Sequence, residues 1–127
     1  MDEHIKKKQY DFIKALNILE SAIKNGLKEE EVIQRFKFVI ENVYKVIELT
    51  IDNIYFNDIE EKVDYFVKRL KKRGLKLDRY IWADMEISRN KSYYICDENT
   101  VFNIAELIKN NYIIELNKLK FFYIKIL

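Results

Sequence analysis

No proline interrupts this chain, and glycine occurs at only two places, Gly26 and Gly74. Proline and glycine are the strongest breakers of regular structure, so long stretches are left free to run as helix. Strands would need turn-formers every eight to twelve residues or so, and those are missing. Lys, Glu, Leu and Ile are abundant and favour helix at surface and core positions alike. The expectation is an all-α fold, an up-and-down antiparallel bundle of four to five helices with short connections. At 127 residues the chain suits one domain with one core, spanning 1–127.

The apolar spacing supports this element by element. Phe12, Ala15, Leu16, Leu19, Ala22 and Ile23 mark one face of a first helix over about residues 5–25, which Asn25-Gly26 ends. Glu29, Glu30 and Glu31 suit the positive end of a second helix. Its stripe runs through Val32, Ile33, Phe36, Val39, Ile40, Val43, Tyr44 and Ile47, with Ile51 and Ile54 as an extension. Asp58 and Glu61 have the spacing of a capping box opening a third helix, with Ile59, Val63, Phe66, Val67 and Leu70 as its buried side. Lys71-Lys72-Arg73-Gly74 closes it. A fourth helix is expected over about 78–88. The last, capped within Asp97-Glu98-Asn99, continues unbroken through Val101, Ile104, Ala105, Ile108, Tyr112, Leu116 and Leu119 to Tyr123.

Charge and composition exclude several functions. The net charge of +2 is too small for bulk electrostatic binding to DNA or RNA, and Lys6-Lys7-Lys8 and Lys71-Lys72-Arg73 read as solvated faces. Cys96 is the only cysteine, which rules out an internal disulfide and fits a reducing cytoplasm. The N-terminus lacks the apolar core of a signal peptide, and no uncharged run reaches the roughly 18 residues of a membrane span. A cytoplasmic protein without membrane contact is expected. No Cys/His cluster has metal-ligand spacing and no glycine-rich phosphate loop is present, so no metal and no cofactor are expected. The terminal Phe-Phe-Tyr-Ile-Lys-Ile-Leu holds more apolar residues than one buried face needs. It reads as core with a fraying end, or as a patch for another subunit.

The chemistry-bearing residues concentrate between Trp82 and Thr100. That stretch holds the only tryptophan, an Arg89-Asn90 pair, Tyr93, Tyr94 and Cys96. Trp82, Met85, Arg89, Asn90 and Asp97 fit the pattern W-x-x-M-x-x-x-RN-x-x-x-H-x-Y-D. An earlier block, Ile33 to Lys45, is similar to IQRFEFTYELAWK, with Lys37 where Glu is usual and Tyr44 where Trp is usual. With Ala15, Leu16 and Leu19 also in place, the chain resembles the nucleotidyltransferase substrate-binding protein family. This is a family of small helical proteins of the HEPN group, often encoded beside a minimal nucleotidyltransferase.

The resemblance implies a HEPN-like domain, a homodimer, a minimal nucleotidyltransferase as partner, and a nucleotide or RNA ligand. In relatives that cut RNA it implies metal-independent cleavage by Arg and His across a dimer, and in toxins a tyrosine that the partner modifies with AMP. Here Tyr94 stands at the histidine position and Cys96 at the tyrosine position. Arginine steadies charge on phosphate by bidentate hydrogen bonds, but proton transfer needs a group titrating near neutral pH. A phenol, with an ordinary pKa near 10, is poorly suited. His4, the only histidine, is not assigned to the motif. The motif Arg89, Asn90, Tyr94 therefore reads as degraded, and no catalytic residue is assigned.

The candidate nucleotide- or substrate-binding residues are Arg89, Asn90, Tyr93, Tyr94, Trp82, Glu41 and Lys45. Each has a plainer reading beside it. Arg89 pairs with Asp84 or Glu86, Asn90 caps a helix end, Trp82 is a packing anchor, and the tyrosines are packing residues. Cys96 is a small buried hydrophobe, and Glu41–Lys45 is an i,i+4 helix pair. Three functions stand open: a non-catalytic binding subunit for the nucleotidyltransferase, a HEPN-type ribonuclease toxin of a toxin–antitoxin pair, and a plain helical interaction module with no nucleotide connection.

Overall fold

The structure, a computed structural model, describes residues 3–51, 55–93 and 97–127. Among these residues every regular element is helical, and the architecture is an all-α bundle. Helix α1 is Glu3–Lys24, α2 Glu29–Thr50, α3 Ile59–Lys72, α4 Arg79–Lys91, α5 Glu98–Leu107 and α6 Ile113–Ile126. None of the described helices is long and apolar enough to cross a membrane.

The boundaries follow local chemistry. Gly26 and Gly74 adopt φ of +66° and +96°, which an L side chain resists and glycine does not. Each sits in a Schellman turn: Leu27 N–H donates to Ala22 O at 3.0 Å, and Leu75 N–H to Leu70 O at 3.0 Å. At the start of α3, Asp58 Oδ1 accepts from Glu61 N–H and Glu61 Oε2 accepts from Asn57 N–H, both at 2.9 Å. Asp78 Oδ1 caps α4 through Tyr80 N–H at 2.9 Å. Asp97 Oδ1 caps α5 through Asn99 N–H at 2.9 Å. The ends of α2 and α4 depart from expectation: α2 stops at Thr50, and α4 runs beyond Ser88 to include Arg89, Asn90 and Lys91. The proposed extension at Ile54 lies outside the described residues.

Helix α1 packs along α2, and α2 in turn meets α4 and α5; α3 packs on α4, and α1 on α6. The buried side chains form one hydrophobic cluster drawn from all six helices. Phe12 meets Tyr123 edge-on at 5.8 Å, Phe66 meets Trp82 at 6.3 Å, and Phe36 stacks on Tyr112 at 5.4 Å.

The last helix is not continuous. Ile108–Tyr112 is a π turn, closed by Ile113 N–H donating to Ile108 O, and it joins α5 to α6. Buried Ile104, Ile108, Tyr112 and Leu116 recur at intervals of four. On a 3.6-residue helix each such step drifts by about 40°, so three would carry the last residue about 120° off the core. The wider turn absorbs that drift and keeps all four facing inward.

Candidate functional site

Helix α4 arranges three sets of side chains around its axis. Trp82 and Met85 enter the core, at 2% and 1% exposure. Asp84 and Ser88 meet Tyr112 of the π turn. Tyr112 Oη donates to Asp84 Oδ2 at 2.6 Å and lies 2.6 Å from Ser88 Oγ. Its one proton is committed to Asp84, so Ser88 is the donor to the phenol oxygen. Burial pushes the Tyr112 hydroxyl far up, and the bond to Asp84 pushes it further. This phenol is thus a fixed hydrogen-bonding group that locks α4 against the π turn. Buried Glu115 of α6 holds the other end of α4, accepting from Asp78 N–H at 2.7 Å.

The third set surrounds Arg89. Its Nη1 donates to Glu86 Oε1 at 3.1 Å across one helical turn. The guanidinium carbon lies 5.1 Å from the Tyr44 ring centre and 5.7 Å from that of Tyr93. Lys37 Nζ sits 4.4 Å from the Tyr93 ring centre. These are cation–π distances, and they bring α2 and the end of α4 together. Arg89 keeps 21% side-chain exposure, and its buried Nε has no hydrogen-bond partner among the described residues. An unpaired buried N–H is costly, so Arg89 Nε is an unsatisfied donor inside this cluster. Glu86 is buried, and that burial raises its carboxyl pKa; the Arg89 charge and hydrogen bonds from Asn90 and Arg89 oppose the rise.

The expected site residues are distributed unevenly. Arg89 and Asn90 share Glu86, and exposed Tyr93 flanks Arg89. Of the two carboxylates open to Arg89, Glu86 takes it. Trp82 is a core residue packed against Phe66, with its ring closed to solvent. Lys45 is exposed and lines a hollow of about 400 Å³ with Lys8, Asp11, Ile18 and Phe38 of α1 and α2. The Glu41–Lys45 ion pair does not form among the described residues; the α2 bridge is Arg35–Glu31 at 3.6 Å. Tyr94 and Cys96 lie outside the described residues. His4 is in the first turn of α1. No group of three or more described His, Cys, Asp and Glu residues is placed to hold a metal ion.

Sequence reasoning did not assign Lys37, Tyr44, Glu86 or Tyr112 to the site. Glu86 was legible as the i−3 neighbour of Arg89. Tyr44 and Lys37 were legible as the two aromatic-to-aromatic and charge-reversing departures within the Ile33–Lys45 block, had departures been read as compensating residues. Tyr112 was hidden by treating the last helix as regular.

Neither the curated proteins nor the solved structures contain a match to the chain. A family model described as nucleotidyltransferase substrate binding protein like matches residues 3–122. That span runs from the first turn of α1 into α6 and takes in every residue of the Arg89 cluster, so the chain belongs to the nucleotidyltransferase substrate binding protein-like family.

Proposed function

We propose that this protein is a non-catalytic substrate-binding partner of a separately encoded minimal nucleotidyltransferase. It works in the cytoplasm as a homodimer, each chain one HEPN-like domain over residues 1–127. The family match over residues 3–122 carries this reading, because the family is described as nucleotidyltransferase substrate binding protein like. The Arg89 cluster supports it chemically. A half-buried guanidinium with an unpartnered N–H, flanked by Tyr44 and Tyr93, suits a phosphate oxygen beside a flat ring. Tyr94 in the histidine position of the resembled motif withholds the neutral-pH proton carrier that cleavage requires.

The test is co-expression with a minimal nucleotidyltransferase encoded beside it. Co-purification is expected, with the enzyme's turnover raised by the wild type and less by Arg89→Ala. Failure to co-purify, with turnover unchanged, overturns the proposal.

A ribonuclease toxin is the second reading, favoured by Arg89 and Asn90 meeting at one carboxylate. It requires growth arrest on expression that Arg89→Ala relieves. Normal growth, with no RNA cleavage by the purified protein, removes it.

A further inference from the structure

Although the chain is close to neutral, its cations are unevenly spread. Six of the 23 Lys and Arg residues lie between residues 65 and 77, with no Asp or Glu among them. The ion pair of α3 is made earlier, by Asp64 with Arg79 at 3.5 Å. Lys68, Arg69, Lys71 and Lys72 pair with no carboxylate among the described residues.

Helical geometry gathers these charges. Tyr65, Lys68, Arg69 and Lys72 follow i, i+3, i+4 and i+7, which places them on one side of α3. Val63, Phe66, Val67 and Leu70 occupy the buried side. With Lys71, the four line a hollow of about 490 Å³, a size typical of small-molecule sites. Tyr65 is 37% exposed, and its ring is braced by Phe56 at 5.5 Å. Cations are favoured at a helix C-terminus by the dipole, which accounts for some of the charge. It does not account for a braced tyrosine ring among the cations or for the hollow they surround.

We propose that this side of α3 binds a phosphate ester carrying a flat aromatic ring. That chemistry is shared by a free nucleotide and by the end of a single-stranded oligonucleotide. Lys68, Arg69, Lys71 and Lys72 take the phosphates, and the ring stacks on Tyr65. Asp64, one turn before Lys68, is engaged by Arg79, so the nearest carboxylate on this side is already paired with another cation. The site is separate from the Arg89 cluster and does not rest on the function proposed above.

The experiment follows backbone amide NMR shifts of the purified protein with four probes: ATP, inorganic tripolyphosphate, a 5′-phosphorylated hexathymidylate and polyglutamate. Amides of residues 65–72 are expected to shift with ATP and hexathymidylate, and less with tripolyphosphate. Joint Lys68→Gln, Arg69→Gln and Lys72→Gln, all at exposed positions, is expected to weaken ATP binding about tenfold or more, and added salt to weaken it further. Tyr65→Ala is expected to weaken ATP about tenfold and leave tripolyphosphate unchanged. The tighter of ATP and hexathymidylate identifies the source, and either order supports the shared chemistry. Equal effects of Tyr65→Ala on ATP and tripolyphosphate overturn the proposal, as does polyglutamate binding where ATP and hexathymidylate do not. Shifts confined to residues 86–93 also overturn it, while leaving the reading of the Arg89 cluster standing.

Discussion

Glu86 holds Arg89 from a position that disfavours its own charge. Burial raises its carboxyl from the ordinary 4.5, against the pull of Arg89 and Asn90. A folded pKa above the unfolded one means that the folded state holds the proton more tightly. The contribution of Glu86 to stability is therefore complete below the ordinary value and declines as pH rises through the raised one. Glu86→Gln removes this titration. The wild type's stability relative to Glu86→Gln is expected to be most favourable below the ordinary 4.5 and to fall as pH rises above it, measured by urea unfolding at matched salt. A rise over the same span would mean that the attraction of Arg89 outweighs burial. Arg89 and Asn90, both expected from sequence, are neighbours in the chain and meet Glu86 from a single helix end. Lys45 stands apart from the Arg89 cluster for a geometric reason. It follows Tyr44 directly, but neighbours on a helix point about 100° apart. Tyr44 faces Arg89, and Lys45 faces the groove against α1.

Among the elements, the caps and glycine stops were legible because they depend on short-range hydrogen bonds. Asp58, Asp97, Gly26 and Gly74 all act within a few residues of themselves. The π turn was missed, although its signal was present. Apolar residues at strict intervals of four cannot stay on one face of a regular helix, so Ile104, Ile108, Tyr112 and Leu116 demand a local unwinding. The turn behaves as one inserted residue, which makes a sharp prediction. Deleting exposed Asn111 restores the alternating four-and-three spacing of a regular helix and is expected to leave a cooperatively folding protein. Deleting Asn117 instead turns Leu119 and Tyr123, both buried, about 100° away from the core. That variant is expected to lose several kcal/mol, on the scale of large core truncations. Urea unfolding of the two deletions side by side decides it, and equal losses would mean that the π turn has no such tolerance.

At the scale of the molecule, the core accounts for the inward apolar residues but leaves a stripe of α6 uncovered. Ile114, Phe121 and Ile124 are 56%, 61% and 52% exposed, and their spacing of seven and three keeps them on one side of the helix. Tyr123 of the same segment is buried against Phe12. The C-terminal excess of apolar residues therefore divides into a core face and an outward face. Burying a large apolar side chain is worth about 1.5–3 kcal/mol, so leaving three exposed forgoes a gain comparable to a sizeable part of a domain's net stability. A second copy meeting this stripe through a two-fold axis recovers that gain twice over, since an isologous contact uses the same patch on both chains. The proposed homodimer is expected to use it. Sedimentation of the wild type should give a dimer at micromolar concentration. Phe121→Ser combined with Ile124→Ser, both at exposed positions, should give a folded monomer with unchanged helical circular dichroism. A dimer that survives the double substitution would move the interface to another surface, and a monomeric wild type would remove the homodimer from the proposed function while leaving the nucleotidyltransferase partnership to its own test.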